Sequence, residues 1–405
     1  MPRELAGTVR LLGAHISGQL ECDSARLHND AGPALVADGL RVDQSVFFRS
    51  GFDATASSEI GAIRLSHTFL GHLDCRGAHL RNDSGPALAA DGLRVDLAMS
   101  LDGLNAAGTG PMGAVRLGGA HIGGQLSCAA ARLRNGSGPA FLADKLRVDQ
   151  SVFLHTGFSV TGTGERGAVR LAGAHLDHLD CRGARLHNAA GPALQAENLH
   201  VTRDVYLDDG FGAVGSGDGV VVDLRGTRVG GVLSFAPAQL EHHTNPRARL
   251  RVDGLTYAGP LQGVSTTAWL GLLRQGTPAY TPQPYQPLAA AHRAAGHDTT
   301  ARSILMAQRR DQIDRHALTR PAARVGSFYR TGSWLRLPAL AGSDRPARHR
   351  RHSRDPCHQS WTRRPGTGSH VARFTHADGM HSAGTGRCRS RSRHAADHYR
   401  CPRAM

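Results

Sequence analysis

Cys22, Cys75, Cys128 and Cys181 stand 53 residues apart, and the same interval separates the Gly-Pro-Ala strings that begin at Gly32, Gly85, Gly138 and Gly191. Leu40, Leu93, Leu146 and Leu199 keep it too. A period of this length, sustained over four copies, is the signature of a stacked repeat architecture. A fifth copy is recognisable where Gly226 to Phe235 follows the pattern of Gly119 to Cys128. Copies one and three share Asp-Gln-Ser-Val-Phe at Asp43 and Asp149, whereas copies two and four share Leu-Asp-Cys-Arg-Gly-Ala at Leu73 and Leu179. A block of 106 residues has therefore been duplicated.

Within one unit the apolar residues come in pairs two apart, Val9/Leu11, Ala14/Ile16, Leu20/Cys22 and Ala25/Leu27, and the pairs recur every five or six residues. A step of two is the strand period. Steps of five and six, with glycine at the corners, would scatter apolar residues around a helix. The second half of the unit repeats the arrangement with Leu35/Ala37, Leu40/Val42 and Val46/Phe48. The pattern predicts a mainly β fold: a right-handed parallel β-helix, quadrilateral in section, with two coils per 53-residue unit. At the strand spacing, about ten coils make a rod of roughly 45 to 50 Å. With 50 Gly and only 5% aromatic residues, its lining is built from small aliphatic side chains. An aromatic-centred enzyme core is disfavoured.

Three segments follow: 1–260 as the repeat β-helix, 261–318 as an α-helical cap, and 319–405 as a disordered basic tail. In the cap, Ser265 can begin a helix through Trp269 to Leu273 with Gly276 just past its end. Pro287 to Ala295 and Asp298 to about Ala317 read as an αα-hairpin that covers the open end of the coil. The opposite end has no such cover in the sequence. This predicts either end-to-end pairing of two copies or a misassigned start. The net charge of +15 is uneven, because residues 318–405 hold 18 Arg against 4 Asp. Residues 1–317 are close to neutral. The tail reads as a frame-shifted translation, with nucleic-acid binding through it as the competing reading.

Local signals of chemistry are weak. Gly108 to Gly113 and Gly162 to Gly167 spell Gly-x-Gly-x-x-Gly, but each precedes a strand-like segment instead of opening a helix, so they read as corner loops and not as a dinucleotide fingerprint. The four repeat cysteines lie about two coils, or roughly 9.6 Å, apart, too far for disulfides or a shared zinc. They read as core thiols, and Phe235 takes the equivalent place in the fifth copy. Cys357, Cys388 and Cys401 show no metal-ligand spacing. His15, His121 and His175 belong on the outer surface, His72 and His178 are too distant from each other to converge, and His242-His243 reads as a polar loop. Asp74, Asp180 and the Asp208-Asp209 pair are the candidates for acid-base work. Asp43, Asp96 and Asp149 recur at a corner, where an aspartate is expected to bond local backbone N–H groups. No catalytic, cofactor-binding or metal-binding residue is assigned, and no cofactor is expected.

Ala14-His-Ile-Ser-Gly, Ala25-Arg-Leu-His-Asn, Ala78-His-Leu-Arg-Asn and Ala184-Arg-Leu-His-Asn resemble pentapeptide-repeat units. Gly-Ala-Val-Arg-Leu at Gly113 and Gly167, Trp269-Leu-Gly-Leu-Leu-Arg and Gln283-Pro-Tyr-Gln-Pro-Leu-Ala resemble a group of bacterial proteins often catalogued as membrane-associated oxidoreductases. That resemblance covers roughly residues 5–318 and implies a membrane-anchoring segment after the helices, where this chain carries arginine-rich sequence. The expected function is a non-catalytic scaffold for a protein partner at the cytoplasmic face of the membrane. A membrane-associated oxidoreductase is the alternative, and nucleic-acid binding through the tail a second one. With no apolar run long enough to span a bilayer and no leader-like start, a cytoplasmic location is expected, peripheral to the inner face of the cell membrane.

Overall fold

The structure, a computed structural model, describes residues 4–315; the tail reading and its three cysteines lie outside the described residues. The described residues belong to one compact unit. The fold is a parallel β-solenoid followed by three helices, α1 (Thr266–Gly276), α2 (Tyr285–Ala294) and α3 (Asp298–Asp314). Three sheets run along it, here called A, B and C, with ten, ten and fourteen strands. In sheet B, Val9, Leu35, Ile63, Leu88, Val115, Phe141, Val169, Leu194, Val222 and Leu250 lie in one register, so a turn takes 25 to 28 residues and nine turns join the ten strands.

Sheet C accounts for the four-cornered section. Some coils cross it as two short strands, such as Arg94–Val95 and Met99–Ser100, while others run through the bend as one strand, such as Arg41–Phe47 or His175–Asp180. The register slips at that bend, between Leu70 and His72 and between Val148 and Ser151. Each coil therefore presents two faces there and one each in sheets A and B. The inward positions form unbroken columns. Leu20, Val46, Leu73, Met99, Leu126, Val152, Leu179, Val205 and Leu233 make one of them. From Val46 onward none of these is more than 3% exposed.

The Gly-Pro-Ala strings sit between sheets A and B, and they need glycine because the loops of adjacent coils touch. A Cβ on Gly85 would lie 2.5 Å from the Ser58 carbonyl oxygen, and one on Gly138 the same distance from that of Gly110. Under these loops runs a polar column that the sequence reading did not single out. Asn82 donates from Nδ2 to the carbonyls of Ser58 (2.7 Å) and Pro86 (2.6 Å), and its Oδ1 accepts from the Ser58 amide at 3.0 Å. Asn135 and Asn188 donate likewise to Pro139 and Pro192, both at 2.6 Å. Each buried amide thereby satisfies backbone groups that the turn would otherwise leave orphaned. His242 takes this place in the last copy. It is the final residue of strand Gln239–His242, only 8% exposed, and its Nδ1 accepts from the Asn245 amide at 2.9 Å. The expected polar loop is therefore a strand end, with a histidine serving where the other copies use asparagine.

The helices also differ in detail from the expectation. Ser265 does cap α1, accepting from the Ala268 amide at 3.2 Å, but Gly276 closes the helix from inside, with Thr277 as the C-cap. α2 begins two residues earlier than expected, and α3 ends at Asp314. The helix laid against the last coil is α1, not the hairpin: Trp269 is 1% exposed and meets the Phe235 ring edge-on, with centroids 5.3 Å apart. The hairpin packs behind α1, where the Tyr285 hydroxyl donates to Asp311 at 2.9 Å.

Candidate interaction face

The cysteines lie in a single inward column in which they alternate with larger side chains. Inter-coil backbone bonds place Phe48 between Cys22 and Cys75, Leu101 between Cys75 and Cys128, and Leu154 between Cys128 and Cys181. All four are free thiols, and the last three are buried. Burial pushes the Cys22 thiol up to about 11, helped by the neighbouring Asp23 charge, and pushes the other three higher still. Thiols that resist ionisation are poor nucleophiles and poor ligands. Phe235 follows at the end of the same column, as its sequence position implied.

Charge separates the outer faces. On sheet B the strand arginines from Arg64 onward are tied down by acids one coil back: Arg64 by Asp38 at 2.5 Å, Arg116 by Asp91, Arg170 by Asp144 and Arg251 by Asp223 at 3.8 Å. On sheet A basic positions such as Arg26, His79, Arg132 and Arg185 alternate coil by coil with Asp53, Asn105, Ser159 and Gly212. Sheet C differs from both. Its first outer column reads His15, Arg41, Phe69, Arg94, His121, Arg147, His175, His200, Arg228, with no acid in the sequence. Phe69 is 44% exposed, and the Arg94 guanidinium lies 5.6 Å from its ring centre.

The corner aspartates behave differently from the expectation. Asp43 accepts from Arg41 Nε at 2.8 Å and pairs with His15 Nε2 at 2.9 Å, and Asp149 repeats this with Arg147 and His121, both at 2.9 Å. These hydrogen bonds hold both carboxyls below the usual range. Their partners are side chains, an arginine two residues back in the same strand and a histidine of the preceding coil, and not local backbone amides. Asp96 lies at the same bend and is exposed.

Past the bend, the second outer column carries Phe47, Asp74, Ser100, Ser127, Phe153, Asp180 and Tyr206. Asp74 and Asp180 are buried, at 1% and 2%, although they face outward. Arg76 covers Asp74, with Nη2 at 2.7 Å, and Arg182 covers Asp180, with Nη2 at 2.5 Å, each pair also sharing a backbone N–H bond. Burial alone would raise these carboxyls, but the guanidinium and amide donors outweigh it and hold them low. Neither is free for acid-base work. Their imidazole neighbours His72 and His178 are half-buried, not solvated, beside Phe47 and Phe153 with ring centroids 6.4 Å apart in both copies. Burial keeps both histidines below their ordinary value despite the nearby carboxylates.

The duplication has thus built one cluster twice: Phe47, Arg49, His72, Asp74 and Arg76, then Phe153, His155, His178, Asp180 and Arg182, four coils or about 19 Å apart at the strand spacing. Cation–π stacking occurs in both, Arg49 lying 4.1 Å above Phe47 and Arg182 5.0 Å from the centre of Tyr206. Beside the second copy lies a shallow depression of about 320 Å³ lined by His155, Thr156, Asp180, Arg182, Gly183 and Asp209. Asp208 does not face Asp209 as a pair. Its Oδ2 accepts from Ser234, while Asp209 is exposed at a positive φ of 41°. Among the described residues no group of three or more His, Cys, Asp or Glu side chains could hold a metal ion, and no helix is long and apolar enough to cross a membrane.

No family model, curated protein or solved structure matches this chain.

Proposed function

We propose that the protein is a non-catalytic scaffold that binds a protein partner through the outer face of sheet C. The observation that carries this reading is the unbroken column from His15 to Arg228 beside the twice-built aromatic and arginine cluster. Aromatic and arginine side chains dominate the energetic centres of protein interfaces, because aromatic rings bury much surface with little loss of freedom and the planar guanidinium offers a fork of donors and a face that stacks on rings. On sheet B Arg64, Arg116 and Arg170 are already spent on the preceding coil, and on sheet C Asp43 and Asp149 take up Arg41, Arg147, His15 and His121, which leaves Arg94 and Arg228 as the column arginines without an ion pair among the described residues. A rigid solenoid adds a lateral surface that needs no reorganisation on binding. The partner surface that fits carries acidic groups facing Arg94 and Arg228, and an apolar centre over Phe69. The setting proposed is the cytoplasmic face of a membrane.

The test is affinity capture with the full chain and two variants, Phe69→Glu on sheet C and Leu142→Glu on sheet B. A partner held by the wild type and the sheet B variant but lost by Phe69→Glu supports the reading. A partner retained by both variants refutes it, and so does a stoichiometric flavin or nicotinamide chromophore in the purified protein, which would favour a redox enzyme.

A further inference from the structure

Among the described residues, the inward apolar columns of the solenoid lose their full burial at the first coil. Leu5 is 50% exposed, whereas Leu27, its register partner one coil on, is 5% exposed. Val9, Ile16 and Leu20 are half-buried, whereas Leu35, Val42 and Val46 beside them are at 2% or below. Leu12, 53% exposed, borders this surface at an outer corner where the following coils place the polar or small residues Asp38, Ser66, Asp91, Gly118, Asp144 and Ala172. The strands Glu4–Ala6, Val9–Arg10, His15–Ile16 and Leu20–Glu21 each pair on one side only. Their other side presents a row of unpaired backbone groups, which is a template for another strand.

We infer that this end is the interface of a two-fold homodimer, formed by the first coils of two copies meeting head to head. A two-fold axis across the rod brings each first coil onto itself with strand directions reversed, so the free edges pair as antiparallel strands and the apolar ends cover each other. The surface is self-complementary in charge as well: Glu4, Glu21 and Arg10 put both signs on its rim, so no block of like charge faces itself. Head-to-tail stacking is closed off, because α1 occupies the far end through Trp269 and Leu273. An isologous contact with the other end blocked stops at two copies, with the two sheet C faces extended along one long rod. This inference does not depend on what sheet C binds.

The experiment is light-scattering mass and small-angle X-ray scattering on the full chain, beside the variants Leu12→Asp, Ile16→Glu and, as a control on sheet C, Phe69→Glu. The wild type and Phe69→Glu are expected to be dimers about twice as long as the monomer. Leu12→Asp and Ile16→Glu weaken association by roughly thirtyfold or more, the loss expected at an interface hot spot. Leu12 is exposed, so its variant keeps the wild-type circular dichroism spectrum and separates loss of pairing from loss of folding. A monomeric wild type at high concentration, a dimer of monomer length, or a dimer indifferent to Leu12→Asp and Ile16→Glu overturns the inference.

Discussion

The two ends of the solenoid meet the same physical problem, a last strand with no neighbour, and among the described residues only one is solved. At the C-terminal end Gln283 imitates the missing strand, its Oε1 accepting from the Gly254 amide at 2.8 Å and its Nε2 donating to the Leu255 carbonyl at 3.1 Å. The last carbonyl of α1, on Gly276, accepts from the Arg249 amide at 2.9 Å, and Trp269 fills the space above Phe235. At the N-terminal end no described residue covers the backbone edge or the column of Leu5, Ile16 and Leu20. A repeat column is periodic and closes itself everywhere except at its ends, so the ends need residues that break the period.

The largest expected effect of this asymmetry is on thiol reactivity. Cys22 lies in the half-open coil and Cys75, Cys128 and Cys181 in closed ones, so fraying exposes the first while the others require opening of several coils. Alkylation mapped by mass spectrometry should proceed on the order of 10³-fold faster at Cys22. Breaking the head-to-head contact with Leu12→Asp should widen that gap, and equal rates at all four would show that the coils open together. Next comes the closed end: Trp269→Ala removes the main side chain of the cap and should cost about 3 to 5 kcal/mol in denaturant unfolding.

The buried amide column offers a graded comparison. Asn135→Ala, in a closed coil at 3% exposure, strands backbone groups away from water and should cost about 2 kcal/mol, whereas Asn29→Ala, half-buried near the open end, should cost about half as much. Equal losses would mean that the first coil is covered as well as the interior. Gln283→Ala should cost roughly 1 kcal/mol, with hydrogen exchange at Gly254 accelerated and that at Gly39 unchanged.

The smallest effect is acid sensitivity. The carboxyls of Asp74 and Asp180 are held below their unfolded value, so the stability they contribute is fully present above about pH 4 and is lost as pH falls through their lowered native values. Unfolding curves for Asp180→Asn should therefore lie below wild type at neutral pH and converge on it in strong acid. A gap that persists in acid would show that the bond to the Arg182 amide, not the charge, carries the contribution.

The sequence made the solenoid legible because its inward residues recur with a fixed phase, and the cysteines could be set in the core by counting coils. The outer contacts were harder to read, because a turn varies between 25 and 28 residues and a shift of one residue changes which side chains meet across a coil. That is why the pairing of His15 with Asp43 and the burial of His72 were missed, although the recurrence of Asp43 at Asp149 was visible. His242 was hidden for another reason: it does the work of an asparagine with a different side chain, and only its place in the column reveals the equivalence. At the cap, the periodic hairpin drew attention, while the deciding residues were the single Trp269 and Gln283.

The 106-residue duplication returns the chain to the same phase after four coils, with the glycine loops, buried amides and inter-coil ion pairs all resuming where they left off. A gene that gained or lost one such block by unequal crossing-over would encode a rod longer or shorter by about 19 Å, with both termini unaltered. Length is then the property that descent can change most cheaply in this protein, and with it the number of aromatic clusters on sheet C.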